Sequence, residues 1–491
     1  VSAAPGERRG FRLRWWMWLA AALLIVASLA LGLRVQGFRA FARVQADIAA
    51  AGLPTDPVQL VAGYPSVDAD RQRRWLAIER RVRAWPDLNA GSHLTYTPAE
   101  QAPDPRAEAN AVAFLAAGAA DADAIAALLD EGPVLVSFAG FVTRDEHTLR
   151  TGSFDQIWGP DSVPNLLSTR WLAMHAALRA LRETDPAPGL HRLRQLETAL
   201  STPGCLIDEM IGIAITTIAD ATRLRLAVRG RLPANEMHAW LSRSDHWRSR
   251  MAAAWTGERS IMWPLTVRQG LAGSGLMGGG SPSAWEWVHG VWGGARWWCF
   301  VGWECAVGAS QQANIELGLR GQTPITEVDI PLGLSPVLAG IVIPNLQESL
   351  VTSVESAYGS RLRRVLAAIA MAYRQGTPVP PDASGLDPAL APLLAAGATA
   401  DEPAIVYERL GPSRLRVGLD PTATRPPLVP ASRWTADYGT RIGQPASTKP
   451  WEDRGRWSLE IDLDAILVPP PPPKPRATKP PASSPQPPAS P

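Results

Sequence analysis

The segment Trp15 to Leu33, WWMWLAAALLIVASLALGL, carries no charge and is bounded by Arg14 and Arg34. Coiled into a helix at about 1.5 Å per residue it reaches roughly 28 Å, the hydrocarbon thickness of a bilayer. The run predicts a single membrane span, with the lipid bilayer as its partner through residues 15–33, and forces the rest of the chain to fold beside that membrane. Arg8, Arg9, Arg12 and Arg14 precede it, while Arg34, Arg39 and Arg43 lie beyond it. Four basic residues against three, on a short amino-terminal tail, favour a cytoplasmic N-terminus and an outer location for the bulk of the chain.

Three processing signals compete with a permanent anchor. Arg8-Arg9-Gly10-Phe11-Arg12-Leu13 is similar to a twin-arginine export signal, although its apolar run is stronger than such signals carry. A cleaved signal peptide is disfavoured, because Arg34 comes directly after the run without an A-x-A site. Gly10-Phe11-Arg12-Leu13 resembles the cleavage site of type IV pilins, with Trp15 where those proteins carry an acidic residue.

The chain of 491 residues, at 46% hydrophobic content, is long enough to bury a sizeable core behind the anchor. A formal charge of +2 offers no bulk attraction to nucleic acid, and no basic stripe with interleaved aromatics argues for it. No nucleic-acid partner is expected. Cys205, Cys299 and Cys305 are odd in number and lack metal-ligand spacing, so they read as buried free thiols. Twenty tryptophans stand out: Trp15, Trp16 and Trp18 suit the membrane boundary, and the others need pockets.

The apolar spacing of Val35, Phe38, Phe41, Ala42 and Ile48 extends the anchor outward as a stalk that Gly52-Leu53-Pro54 stops. LPTDPVQLVAGYP, residues 53–65, reads as an extended strap on the body surface. Trp75, Ile78 and Val82 mark the inner face of a helix over 71–82; after a polar loop over 86–105, residues 107–130 form an alanine-rich helix. Pro133 to Phe138 is a strand or a helical turn. The strongest helical period comes next, with one face through Leu166, Leu167, Trp171, Met174, Leu178 and Leu181, and a second through Leu193, Leu196 and Leu200. A third helix, 206–228, has the stripe Ile207, Ile211, Ala214, Ile218, Ala221 and Val228, and a fourth runs from Pro233 to Met251. Helices joined by short Pro/Gly turns build an array of antiparallel hairpins, without the 34-residue motif of tetratricopeptide repeats.

Trp285 to Val307 is long enough for a second span, but Glu286, His289, Arg296 and Glu304 make a buried or membrane-surface helix the better reading. Residues 324–346 are apolar and broken by prolines, and helix resumes from Leu346 to Tyr373. Strand alternation then appears at 405–407, at Leu415, Val417 and Leu419, and at Trp457, Leu459, Ile461 and Leu463. The fold class is thus mainly α: 1–14 a cytoplasmic basic tail, 15–33 the transmembrane helix, 34–66 stalk and strap, 67–376 the α-helical domain, 377–468 a small β-rich module, and 469–491 a disordered Pro-rich tail.

No catalytic, cofactor-binding or metal-ligating residue is assigned. Gly273-Ser274-Gly275-Leu276-Met277-Gly278 fits G-x-G-x-x-G by letter, yet Gly279, Gly280 and Pro282 oppose the helix a dinucleotide needs. The histidines His93, His147, His175, His191, His238, His246 and His289 form no H-E-x-x-H, and His238 and His246 lie two turns apart without a carboxylate at ligand spacing. Asp208-Glu209 suits the first turn of a helix, where the dipole favours negative charge, and Asp462 with Asp464 suits one solvated face of a strand.

The anchor, the strap Ala50-Ala51-Gly52-Leu53-Pro54 leading to Gly63-Tyr64-Pro65, the helix pair around 193–218, and Tyr407-Glu408-Arg409-Leu410-Gly411-Pro412-Ser413-Arg414-Leu415-Arg416-Val417 with Trp457-Ser458-Leu459-Glu460-Ile461 together resemble a group of uncharacterised single-pass bacterial envelope proteins. That resemblance implies the bacterial inner membrane, with the body on the periplasmic side, and supplies no catalytic residue. The expected function is a non-catalytic envelope scaffold that meets protein partners. The alternatives are a pilin-like or secretion-associated subunit, and an envelope enzyme that would gather two or more of His238, His246, Asp208 and Glu209 in one deep pocket.

Overall fold

A computed structural model describes residues 5–85, 105–158, 166–244, 246–272, 284–328, 337–397, 399–419, 425–429 and 457–467. The glycine-rich 273–278, His93 and the tail 469–491 lie outside the described residues, as does most of the 86–105 loop. The chain is mostly helical, with one small three-stranded sheet near its C-terminus.

Helix α1 spans Pro5–Ala50, joining the apolar run to its outward extension without a break. It stops where Gly52 adopts φ +77°, which admits glycine at little cost. From Trp16 to Leu29 its large apolar side chains are exposed, whereas Gly37, Ala40, Val44 and Ile48 are buried at helical spacing. Among the described residues, two helices are long and apolar enough to cross a membrane, Trp16–Ala50 and Ala109–Asp130. The second is held in the body by buried Phe114, Ile125 and Leu128, and by ion pairs from Arg81 to Asp121 and Arg179 to Asp123.

The body begins with a strap that includes a short helix, Pro57–Ala62, capped by Asp56, and is not extended throughout. Then come α2 (Ala69–Val82), capped by Asp68 with Trp75, Ile78 and Val82 inward as their spacing predicts, and α3 (Pro105–Asp130). Residues 133–137 are irregular and a single turn, Phe138–Phe141, comes after them, so no strand forms there. Helices α4 (Leu166–Arg182), α5 (Ala187–Ala199) and α6 (Leu206–Val228) pack on one another. Every residue of α6 from Ile218 to Val228 is buried, making it the centre of the core. Its first turn differs from the expected stripe, since Ile207 is 54% exposed, and on α4 Leu167 is likewise 53% exposed.

The helix expected over 233–251 is two helices, α7 (Ala234–Leu241) and α8 (Trp247–Gly257), with Ser242, Arg243, Ser244 and His246 outside both. A π-helical turn, Glu258–Met262, leads into α9 (Trp263–Ala272). There Arg259 pairs with buried Glu316 at 3.0 Å and donates to the Pro54 carbonyl at 2.8 Å, pinning the strap to the core. Two long helices come next, α10 (Ala284–Leu319) and α11 (Val337–Arg374); the latter starts nine residues before the expected Leu346 and runs on through Pro344.

Strands β1 (Val406–Arg409), β2 (Arg414–Gly418) and β3 (Ser458–Asp462) form an antiparallel sheet in sequence order, with Leu415 opposite Ile461 and Tyr407 opposite Val417. Tyr407, Leu415, Val417, Leu459 and Ile461 face inward, and on the outer face Arg416 pairs with Glu408 and Arg414 with Glu460. The sheet shares the helical core through Trp457, whose ring lies 4.9 Å from that of Tyr358 on α11. Asp464 does not continue β3. It lies in a terminal helix, Leu463–Leu467, and accepts from the Tyr373 hydroxyl, while Asp462 accepts from Ser413.

The outer part of α1 is welded to α10. A Cβ added to Gly37 would come within 2.7 Å of the Trp303 ring, and one added to Gly302 within 2.5 Å of the Phe38 nitrogen. Only hydrogen at both positions permits this approach. Gly302→Val is expected to part the helices and lower stability by about 1–3 kcal/mol, the usual penalty of overpacking. Thermal melting of the full chain in detergent checks this against Gly318→Ala on the same helix, where a new Cβ meets nothing within 4 Å and no loss is expected.

Candidate functional site

The loop that interrupts the 233–251 segment builds the most developed concave site among the described residues. Ser242 ends α7 by donating to the His238 carbonyl, and Ser249 donates to the His246 carbonyl at the start of α8. Between these caps, Arg243 reaches inward. Its guanidinium meets Glu197 of α5 at 2.8 Å, Asp220 of α6 at 3.2 Å and the Ser360 hydroxyl of α11 at 3.1 Å. Arg364 of α11 donates to the Arg243 carbonyl at 2.5 Å, holding the loop from the other side.

Beneath Arg243 lies Arg223, surrounded by three carboxylates: Glu197 at 3.0 Å, Glu236 at 3.1 Å and Asp220 at 3.3 Å. Asp220 is 0% exposed and also accepts from the Trp240 indole at 2.8 Å and the Ser360 hydroxyl at 2.5 Å. Burial alone would raise its carboxyl; the Arg243 and Arg223 charges, with the Ser360 hydrogen bond, outweigh that and hold it below the ordinary range. Burial likewise opposes the Arg223 charge, and Glu197 and Asp220 reverse the balance and raise its affinity for the proton.

Arg243 stands where two cavities meet, and both are also lined by Ser244, Trp247 and Ala357. The first, about 640 Å³, has a polar wall of Arg194, Glu209, His246, Arg250, Ser353 and Ser356. The second, about 550 Å³, is lined by His238, Leu241, Trp247, Tyr358 and Leu393, with Glu402 at its edge. Trp247 donates to Glu402 at 2.8 Å and Arg361 donates to the Leu393 carbonyl at 2.8 Å, so the 389–402 segment is fastened as the outer wall. The result is a two-lobed cleft: the first lobe is charged and hydroxyl-rich, and the second sets Leu241, Tyr358 and Leu393 beside Arg361, Arg364, Asp401 and Glu402.

Of the residues noted in the sequence, Glu209 and His246 come together in the first lobe and His238 lines the second. Burial pushes the Glu209 carboxyl up while Arg250 opposes it, and the two are paired at 3.0 Å. The His246 imidazole Nε2 lies 2.6 Å from the Ser244 hydroxyl. Asp208 is not in the cleft. It is fully buried beneath the start of α6 and accepts from the backbone N–H groups of Phe138, Gly204 and Cys205. His175 packs between Trp85 and Phe114 with its proton affinity lowered by burial, a core histidine. Cys205 is buried as expected, Cys299 and Cys305 are partly buried, and all three are free. No cluster of three or more metal-ligating side chains occurs among the described residues.

Arg243, Arg223, Asp220, Glu197 and Glu236 escaped the sequence reading. The one available signal was Asp220 and Arg223, spaced three apart inside an otherwise apolar helix, where a charge is costly unless paired. Comparison with known proteins found no matching family model, curated protein or solved structure, so the site stands on its geometry alone.

Proposed function

We propose that the chain is a single-pass scaffold of the bacterial inner membrane, with its helical body on the periplasmic side, that holds a segment of a protein partner in the cleft around Arg243. The observation that carries this reading is the cleft itself. Half-exposed Arg243 and the Trp247 ring sit where the lobes meet, and arginine and tryptophan are the side chains that most often dominate protein recognition. An extended segment would lay apolar side chains against Leu241 and Leu393 and polar ones against the hydroxyl-rich lobe. The anchor adds geometry, since its weld to α10 presents the cleft in a fixed relation to the membrane.

One contact favours a second reading, an envelope enzyme. Ser244 and His246 have nucleophile–base spacing at a lobe that also holds Glu209. A single comparison separates the two. With a photoreactive residue at Ser356 in the intact membrane protein, the scaffold reading expects a discrete protein adduct that is absent when the same group replaces surface-exposed Leu410, and no reaction of Ser244 with a fluorophosphonate. Labelling that disappears in Ser244→Ala establishes the enzyme instead, and absence of any adduct at Ser356 sinks the scaffold.

A further inference from the structure

Along their weld, α1 and α10 run in the same direction at a constant offset. Arg34 donates to the Trp298 carbonyl at 2.7 Å, Gly37 meets Gly302 and Trp303, and Ala40, Val44 and Ile48 share one cluster with Ala306, Ala309 and Ala313. Trp298 therefore stands level with Arg34, the residue that closes the apolar run of the anchor. The close approach of Gly37 and Gly302 holds the two side chains at that level, because neither helix can slide without meeting the backbone of the other.

The Arg34 guanidinium lies 4.5 Å from the Trp298 ring and 5.1 Å from the Phe38 ring. Its contacts among the described residues are those two rings and the carbonyl, with no carboxylate. In the body, by contrast, Arg223, Arg243, Arg250 and Arg259 each meet a carboxylate within 3.0 Å. A ring on the face of a guanidinium leaves its edge, where the N–H donors lie, open to an oxyanion. Beside this cation Leu31, Val35, Phe38 and Trp298 are all exposed. An arginine without a carboxylate, on an aromatic bed at the end of an apolar span, stands where the phosphates of a bilayer lie, and its planar fork matches phosphate as an ammonium does not.

We propose that Arg34, stacked on Trp298, holds the phosphate of one anionic phospholipid of the outer leaflet, whose acyl chains lie along Leu31 and the anchor. This rests on the reading of α1 as a membrane span with the body on the periplasmic side. The partner is a lipid and not free phosphate, since the exposed apolar residues beside the cation offer nothing to an inorganic anion. Arg43, also exposed, lies nine residues and about two and a half turns further along, on the opposite side of α1. It shares the attraction of a positive charge to an anionic surface but not the stacked site.

The test is native mass spectrometry of the full-length protein taken up in detergent from phosphatidylethanolamine–phosphatidylglycerol vesicles. The expected result is one phosphatidylglycerol retained per chain, lost several-fold in Arg34→Gln and in Arg34→Lys, and kept in Arg43→Gln. Arg34→Lys preserves the charge and serves as the deciding variant if Arg34→Gln melts early in the same detergent. Absence of retained lipid, or retention in both Arg34 variants equal to that of the unaltered chain, overturns the proposal. An equal loss in Arg43→Gln also overturns it, because any surface charge would then serve, and so does release of the lipid by excess inorganic phosphate, the mark of a plain anion site. Extraction of the unaltered chain from the vesicles by alkaline carbonate would refute the span itself, a failure distinguishable from that of the lipid site alone.

Discussion

Asp208→Ala is expected to be among the most damaging single substitutions in the body, lowering its stability by roughly 3–6 kcal/mol, because three buried donors lose their acceptor together. Asp208 is 0% exposed and accepts from Gly204 at 2.7 Å, Phe138 at 3.0 Å and Cys205 at 3.2 Å. It joins the start of the central helix α6 to the 138–141 turn. Asp208→Asn keeps one oxygen and is expected to lose less. Chemical denaturation of the two variants beside the unaltered protein gives the comparison.

The same junction sets a pH dependence. Burial pushes the Asp208 carboxyl up to about 7 despite its backbone donors, and pushes Glu258, which accepts from the Leu206 N–H, up to about 7 as well. Each binds a proton in the folded state that the unfolded chain releases near its ordinary carboxyl value. The associated stability is complete at low pH and is lost as pH rises through 7, at up to about 1.4 kcal/mol per unit for each group. The melting temperature should fall between pH 5 and pH 8, and Glu258→Gln should flatten that slope. An unchanged slope in Glu258→Gln would remove Glu258 from this account.

Much of the architecture was legible because local pattern and tertiary burial agreed. The Trp75, Ile78, Val82 face, the Leu193, Leu196, Leu200 face and the alternation through Leu415 and Val417 all point inward as their spacing requires. Disagreement came where a distant group decided the outcome. The 233–251 segment has helical composition throughout, and its interruption is held by Glu197, Asp220, Ser360 and Arg364, each more than twenty residues from Arg243 along the chain. Ile207 and Leu167 keep the helical phase but fall on uncovered first turns, which no periodicity reveals. The cleft was invisible for the same reason: its walls come from α5, α6, α8, α11 and the 389–402 segment, and single residues on each carry no motif.

Arg223→Met tests whether that buried charge network is structural support or part of the binding surface. The substitution leaves Glu197, Asp220 and Glu236 with Arg243 and with Arg194, which meets Glu236 at 3.5 Å. Removing one partner from a buried ion network typically costs 3–5 kcal/mol, roughly the loss expected here, because the remaining charges have been taken out of water and cannot return to it. Protonation relieves part of the strain, so the variant should lose more at pH 8 than at pH 5, where a carboxylate can neutralise itself. Arg243→Met should behave differently. Its side chain is 30% exposed, and losing it opens one lobe into the other while Arg223 still neutralises Asp220. The expected result is a smaller stability loss together with loss of the partner adduct at Ser356. Denaturation midpoints that fell equally in both variants would mean that Arg243 serves the fold as fully as Arg223 does, and that the floor of the cleft is scaffold and not recognition surface.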